Sequence, residues 1–225
     1  MDRMLERNID GLIFQGVHLT DEILKKLHEF PCPVVLGNQG LSGEDCAFTT
    51  VTVDSYNVSR DITEFLVGDG HRRIAYVGGN AEDYTNGQLR LKGYRDAMKA
   101  AGLEIPDSYI YQGNFSTEAG VEGMKKIYEN SRDLPTAVIT GSDIIAIGVI
   151  RYLKSLNIRV PEDISVFGVD DSVSDIFDPP LSTVRMFQQG EMFYEALFGE
   201  DADEKKKFYF PYQLVRRNST RKLWR

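Results

Sequence analysis

The sequence predicts an α/β fold with mainly parallel sheets, and two observations carry this prediction. Short apolar runs of strand length alternate with helical stretches through most of the chain. Each helical stretch is long enough to return the chain across a sheet, as a right-handed crossover between parallel strands requires. Several apolar runs also end abruptly in small and acidic residues, as in the segment 164–171. In an open α/β sheet, such endings place polar groups outside the carboxyl ends of the strands, where ligands bind.

The predicted elements follow in a regular order, and capping residues mark several of their ends. Thr20 and Asp54 have the residue types expected at helix N-caps, and Gly102 is expected to end a helix. Strands are expected at 9–14, 33–37, 49–53, 73–77, 109–111, 137–140 and 165–169. Residues 1–7 are expected to be the end of an amphipathic helix, and further helices are expected at 21–30, 55–67, 87–101, 117–129, 143–156 and 190–198. Extended segments are expected at 182–186 and in a closing run up to residue 215.

The composition is that of a globular protein large enough for one large domain or two small lobes. The chain has 225 residues, of which 42% are hydrophobic and 27% charged. A net charge of −8 argues against a surface that grips a nucleic-acid phosphate backbone. The basic residues near the C-terminus are interpreted as a solvated tail. They are Arg216, Arg217, Arg221, Lys222 and Arg225.

The lack of a visible targeting signal and the spacing of the cysteines predict a cytoplasmic protein without a membrane partner. Cys32 and Cys46 lack CxxC spacing, so neither a disulfide framework nor a zinc site is expected. No apolar stretch approaches the length of a membrane span, and no signal-peptide pattern is visible.

Recognisable catalytic motifs are absent, and neither an enzyme nor a cofactor is expected. The chain contains no GxSxG, HExxH, P-loop or GxGxxG pattern. The three histidines, His18, His28 and His71, show no metal-ligand spacing. His71 stands between a predicted helix and strand, where a structural role is favoured over catalysis.

The adjacent carboxylates Asp170 and Asp171 are the first candidates for a site. Asp170 follows a predicted buried strand directly and is expected to face a ligand. Asp171 is expected to cap a helix or to bond within the loop. A general acid/base pair or an Mg²⁺ site is the alternative, with Asp143 as the only other acid at a comparable strand end.

Two further residue types suit a ligand with hydroxyl groups and a flat face. Arg90 lies in the first turn of a predicted helix, from which a guanidinium can donate several directed hydrogen bonds. Phe115 precedes another helix in a loop, where its ring can stack on a sugar or a base. The alternatives are a surface arginine and an aromatic residue that only anchors its loop.

Several segments together resemble the effector-binding half of bacterial LacI/GalR-type transcription regulators. Any one of them is weak evidence, but their order and approximate spacing match the family over essentially the whole chain. The matching segments are Leu66–Gly79, Arg90–Tyr94, Pro135–Ala137, Val160–Val166, Gly168–Asp171, Pro180–Val184 and Tyr212–Thr220.

The resemblance implies two Rossmann-like lobes of the periplasmic-binding-protein type I-like kind, with an effector in the cleft between them. One lobe would hold residues 1–53 and 187–208, and the other residues 54–186 and 209–225. Ser142 stands where the family commonly has asparagine. Met186 stands where many members have a polar residue, so that side of the pocket is expected to be more apolar. The implied effector is a sugar, a sugar phosphate or a purine. Its implied contacts are Asn38, Asn86, Arg90, Phe115, Ser142 and Asp170.

The resemblance also implies partners and a function. A homodimer would form through the region of Ile144, Ile147 and Phe177, where Ile176 and Phe177 are expected to be exposed. The alternative is that the isoleucines only cover the sheet. The family's helix-turn-helix and the first strand–helix–strand unit are expected to be missing, so operator DNA would be bound only through a missing N-terminal domain. The expected function is an effector sensor that controls DNA binding. The alternative is a solute-binding protein for sugar uptake, which should carry a signal peptide.

Overall fold

A computed structural model of the chain describes residues 8–15, 19–39, 47–200 and 205–223. The architecture is α/β with mainly parallel sheets, as predicted. The predicted helix end within 1–7, together with His18 and Cys46, lies outside the described residues. None of the helices within the described ranges is long and apolar enough to cross a membrane.

The elements are numbered here in chain order. The strands are β1 (Leu12–Phe14), β2 (Val34–Gly37), β3 (Thr49–Val53), β4 (Ile74–Gly78), β5 (Ile110–Gln112), β6 (Ala137–Thr140), β7 (Ser165–Phe167), β8 (Thr183–Met186), β9 (Lys207–Phe210) and β10 (Tyr212–Val215). The helices are α1 (Asp21–His28), α2 (Ser55–Gly68), α3 (Arg90–Ala100), α4 (Thr117–Asn130), α5 (Asp143–Ser155) and α6 (Gln189–Phe198).

The larger core surrounds a parallel sheet of order β5-β4-β6-β7, the second sheet. Successive residues of a strand point to opposite faces, so a sheet covered on both sides has apolar residues at every position. Ile74 and Tyr76 pack on one side with α2 and α3, whereas Ala75 and Val77 pack on the other with α4 and α5. Two helices therefore cover each face of the second sheet.

The other four-stranded sheet, of order β1-β2-β3-β9, is the first sheet and is also parallel. Leu36 packs with Leu27 of α1 on one face, whereas Val35 and Val51 lie in the cluster that contains residues of α6 on the other. Within the described residues, one helix thus covers each face, and β1 forms an edge.

The chain passes between the two sheets at three places. It passes from β3 to α2, from β8 to α6, and from β9 to β10. β8 and β10 pair antiparallel, with Met186 opposite Tyr212, and the Phe187 N–H donates to the Pro211 carbonyl at 3.0 Å. These paired connections hold the carboxyl ends of the two sheets close together and frame a cleft.

Capping residues act as the sequence predicts. The Thr20 hydroxyl accepts from the Ile23 N–H at 3.3 Å, and the Asp54 carboxylate accepts from the Asn57 N–H at 3.0 Å. Gly102 has a φ of +66°, a left-handed conformation that glycine adopts readily at helix ends.

Four predicted elements are wrong in their bounds by two residues or more. Strand β1 begins at Leu12 rather than residue 9, and α1 ends at His28 rather than residue 30. A single helix over 87–101 is replaced by a π-helix, Tyr84–Leu89, that leads into α3. The π-helical turn is possible because a Cβ at Gly87 would lie only 1.8 Å from the Asn80 carbonyl oxygen, so glycine alone allows this approach. Strand β7 ends at Phe167 rather than residue 169, because the Gly168 N–H turns to the Ser182 carbonyl.

The prediction that His71 is structural is confirmed. Its ring is fully buried and lies 2.9 Å from the Thr136 hydroxyl and 3.1 Å from the Arg221 carbonyl. Burial lowers the pKa of this imidazole, so the neutral ring joins α2, the second sheet and the C-terminal segment.

Candidate functional site

A cavity of about 290 Å³ lies between the carboxyl ends of the two sheets. Its position is that expected for a ligand site in an open α/β fold. All six residues named from the sequence line it, and four others join them. The lining is Asn38, Val53, Asp83, Asn86, Arg90, Phe115, Ser142, Ile144, Asp170 and Met186.

Arg90 is held rigidly in the wall of this cleft. It is only 5% exposed, so the alternative of a surface arginine is wrong. Its Nε donates to the Ser55 hydroxyl at 3.3 Å, one terminal nitrogen donates to the Gly141 carbonyl, and the other donates to Asn86 Oδ1 at 3.1 Å. A guanidinium has five N–H donors, so two of them remain for a ligand.

Asn86 forms a direct bond between the walls of the cleft. Its amide nitrogen donates to the Asn38 carbonyl at 2.8 Å and to the Asp83 carboxylate at 3.2 Å. Asn38 follows β2 of the first sheet, and its φ of +55° is a left-handed conformation that asparagine tolerates better than most residues. Asn86 therefore connects the end of the first sheet to the helix that carries Arg90.

Asp170 presents a carboxylate that has no hydrogen-bonding partner among the described side chains. Its backbone N–H donates to the Val184 carbonyl at 3.1 Å, which fixes the residue just beyond β7. Its φ of +117° is rare for a residue with a side chain, and such strain is often found at functional sites. Burial raises the pKa of Asp170, Arg90 opposes this shift and nearby Asp143 adds to it, so that the pKa lies at about 7.

Asp171 and Asp143 serve the surrounding structure. The Asp171 carboxylate accepts from Ser174 and Arg185 and lies 2.7 Å from Arg217, so the predicted loop bonding is confirmed.

Asp143 accepts from the Thr183 hydroxyl at 2.6 Å and from the Ser172 N–H at 3.1 Å, and burial raises its pKa to about 6. Asp171 and Asp143 are thus engaged by neighbouring groups, whereas Asp170 has no side-chain partner among the described residues.

Metal binding receives no support from the described residues. Their histidine, cysteine and acidic side chains form no group of three that could hold an ion.

The other part of the lining is apolar. The Phe115 ring lies against Gly79, where an added Cβ would come within 2.4 Å of three ring atoms, and the ring also faces the cleft. Val53, Ile144 and Met186 line the same cavity. Met186 makes its side of the cleft apolar, as the sequence predicts, and Phe115 both anchors its loop and offers a ring face to a ligand.

Ser142 lines the cleft in a capping role. Its hydroxyl accepts from the Ile145 N–H at 3.3 Å and so caps α5. The residue is 5% exposed, which leaves a small polar surface on the cleft.

Sequence reasoning missed Asp83, Val53 and Ile144 as lining residues. Asp83 stands three residues before Asn86, the spacing of an N-cap, and accepts from the Asn86 N–H at 2.8 Å. This local signal could have identified Asp83. Val53 and Ile144 are apolar residues at a strand end and a helix start, and nothing local separates them from core residues.

The region predicted to dimerise has a mixed exposure. Ile176 is 83% exposed, as expected. Phe177 is partly buried against the core between the second sheet and the helices α4 and α5, and Ile147 is also partly buried. Ile144 is 38% exposed and faces the cleft. The predicted exposure of Phe177 is therefore wrong, and the dimer stays a prediction.

Larger cavities lie elsewhere and lack the predicted site residues. One of about 470 Å³ lies beside α1 and Phe48, and one of about 730 Å³ lies between Lys154 and Asn218. The smaller cleft is the better candidate, because only there do polar groups from several strand ends converge.

The chain is similar to one family of binding domains and to curated bacterial regulators. The family described as periplasmic binding protein-like domain matches residues 63–220. Catabolite control protein A of Priestia megaterium is 33% identical over 185 residues, 82% of this chain and 55% of the relative. The transcriptional repressor PurR of Klebsiella pneumoniae is 34% identical over 201 residues, 88% of this chain and 57% of the relative. The chain thus spans about half the length of these curated relatives.

Solved structures of transcription regulators also resemble the chain. A transcription regulator from Lactobacillus plantarum superimposes with a TM-score of 0.86 at 27% identity, covering 97% of this chain and 84% of that one. The complex of the regulator CelR with cellobiose gives a TM-score of 0.84 at 28% identity, covering 97% of this chain and 68% of that one.

Proposed function

The chain belongs to the LacI family of transcription regulators as an effector-binding domain, and we propose that it senses a small metabolite in the cleft between its two sheets. The proposed effector is a sugar or a sugar phosphate, with a purine as the next class. This range includes the cellobiose named for CelR and the purine class suggested by PurR's name. The proposed contacts are Asn38, Asn86, Arg90, Phe115, Ser142 and Asp170.

The observation that carries this proposal is that Asp170 and Arg90 line the same cleft. Asp170 has no side-chain partner among the described residues, whereas Arg90 keeps two N–H donors free. An unpartnered carboxylate in a sheltered position is costly, so a ligand hydroxyl that donates to it would bind favourably.

Effector binding would be transmitted through the arrangement of two lobes. We propose that residues 1–53 and 187–208 form one lobe and residues 54–186 and 209–225 the other, since the chain passes between the sheets near these positions. A ligand that contacts Asn38 on one side and Arg90 on the other binds the closed arrangement better, and this difference in affinity shifts the equilibrium.

In the whole protein, this shift would change the geometry of a homodimer. The dimer would use the region of Ile144, Ile147 and Phe177, next to the exposed Ile176. Operator DNA would be bound by an N-terminal domain outside these 225 residues, because a net charge of −8 suits this chain poorly to phosphate contacts. The site of action would be the cytoplasm. A regulator is favoured over a solute-binding protein or an enzyme because the matched relatives regulate transcription.

The test is a thermal-shift screen of the chain against neutral sugars, sugar phosphates and purines. A ligand at a hundredfold its Kd should stabilise the fold by about 2.7 kcal/mol. Asp170→Ala and Arg90→Ala should each abolish the shift. The matched control Asp133→Ala, an exposed acid outside the cleft, should leave it unchanged. A shift that survives both cleft substitutions would reject the proposed site.

A further inference from the structure

We propose that the cleft selects an uncharged, polyhydroxylated ring, such as a neutral monosaccharide, and discriminates against the phosphate ester of the same sugar. This inference rests on the proposed function and narrows it to one ligand class. It follows from the charges of the lining, from the state of the helix ends that face it and from the size of the cavity.

The charge of the lining disfavours an anion. Among the described residues, the charged side chains on the cleft are Asp83, Asp170 and Arg90, which leaves an excess of one carboxylate. Arg90 has already donated from Nε and from both terminal nitrogens to protein acceptors. The fork that uses Nε is therefore closed to a phosphate, and one N–H remains on each terminal nitrogen. These two donors can serve neighbouring hydroxyl groups of a sugar.

The helix N-termini around the cleft are also occupied. Free N–H groups at helix starts are the usual protein site for a phosphate. Here the Ser142 hydroxyl caps α5, the Ser116 hydroxyl caps α4 at 3.1 Å, and the Asp83 carboxylate caps the π-helix. Each of these ends also carries an acidic residue, which compensates the positive end of the helix dipole: Asp83, Glu118 and Asp143. An arriving phosphate would meet acids where it needs free donors.

The size and the apolar wall fit a single ring. A cavity of about 290 Å³ is at the lower limit for a small-molecule pocket. The Phe115 ring, with Val53 and Met186, offers apolar surface to the C–H face of a sugar, while Asp170, Arg90 and Asn86 face its hydroxyl groups. An unpartnered Asp170 accepts hydrogen bonds from hydroxyls but repels a phosphate oxygen.

The experiment is calorimetric titration of the chain with matched pairs of ligands at physiological salt and pH 8, where an Asp170 with a pKa of about 7 is mostly ionised. Ribose, glucose and fructose are each compared with their phosphate monoesters. Hypoxanthine is included as an uncharged purine ring that carries no sugar. The parent chain is compared with Asp170→Asn, which removes the charge at nearly constant shape. Asp133→Asn applies the same charge change to an exposed residue outside the cleft.

The expected result is that at least one neutral sugar binds about tenfold or more tightly than its ester. Asp170→Asn should weaken the sugar and reduce this ratio, whereas Asp133→Asn should change neither. An ester that binds more tightly than its sugar, or binding of hypoxanthine alone, would overturn the inference and leave the proposed sensor standing. Absence of binding by every compound would count against the proposed function as well.

Discussion

The two sheets are built from the same elements but are covered very differently. Every residue of β4, β6 and β7 is buried, and two helices cover each face of the second sheet. In the first sheet, the edge strand β1 leaves Ile13 43% exposed, and one described helix covers each face. Stability follows the apolar area removed from water, so the second sheet should be the more stable region. The second sheet should therefore give the cleft its more rigid wall and the first sheet its more deformable one, as the proposed closing sensor requires.

The largest expected effect comes from breaking the packing that makes the second region rigid. A Cβ at Gly148 of α5 would lie 2.0 Å from the Thr117 carbonyl oxygen of α4, so Gly148→Leu must force these helices apart. We expect a loss of about 4 kcal/mol or more in the free energy of unfolding, measured by urea denaturation. Gly68→Ala is the control, since nothing lies within 4 Å of its Cβ. A loss below about 1 kcal/mol would mean that the helices separate easily.

A pair of matched truncations separates the stabilities of the two regions. Leu27 of α1 and Leu153 of α5 are both essentially fully buried, and each change to Ala should cost about 3 kcal/mol in its own surroundings. Native-state hydrogen exchange should show that Leu27→Ala lowers protection only in the first sheet, whereas the second sheet stays protected. Equal loss throughout the chain in both variants would show that the sheets unfold as one unit.

At the junction of the two regions, Asp170→Asn should stabilise the empty chain while weakening binding. Because burial raises the pKa of Asp170 from its ordinary value of 3.8 to about 7, the folded chain holds this proton to higher pH than the unfolded chain. Its contribution to stability is therefore full below about pH 4 and is lost as the pH rises through 7. Asp143, with a pKa of about 6, acts in the same direction.

The measurement is the free energy of unfolding at pH 4 and at pH 8. From pH 4 to pH 8, the free energy of unfolding of Asp170→Asn should increase by roughly 2 kcal/mol relative to that of the parent chain. This is about half of the free energy that corresponds to a pKa shift of three units, because water reaches the cleft and screens the charge. Asp133→Asn controls for the change in net charge. Parallel pH profiles for the parent and Asp170→Asn would contradict the raised pKa.

The smallest expected effect is a gain in the first region. Gly190 lies in α6, and nothing lies within 4 Å of a Cβ added there. Gly190→Ala should stabilise by about 0.5 kcal/mol, because it restricts the unfolded chain and favours the helix. Hydrogen exchange should place the added protection in α6 and the first sheet. A loss of stability would show that this helix start needs the freedom of glycine.

Much of the fold could be predicted because local signals agree with the tertiary structure. The strand 137–140 and the starts of α2, α4 and α5 lie where the sequence places them, since apolar runs and capping residues are local. The π-helical start before α3 could not be predicted, because it depends on the approach of Gly87 to Asn80 in space. Local periodicity contains no information on such contacts.

The candidate site divides in the same way. Asp170 and Phe115 stand at strand or helix ends, where position alone indicates a ligand-facing role, and all six named residues line one cleft. The bond from Asn86 to the Asn38 carbonyl joins residues 48 positions apart and follows only from the folded arrangement. Ser142 and Asp83 cap neighbouring helix ends, and the proposed ligand selection depends on this capping. Its bearing on a ligand is visible only in the folded arrangement, where both residues line one cavity.

The most direct test of a two-sided sensor is hydrogen exchange of the chain with and without a saturating ligand from the thermal-shift screen. A ligand held between the sheets should protect the segment around Asn38 in the first sheet and the segments around Arg90 and Asp170 in the second, at the same ligand concentration. Protection on both sides is the predicted result. Protection confined to one sheet, or located at either larger cavity, would contradict a cleft that binds its effector by closing.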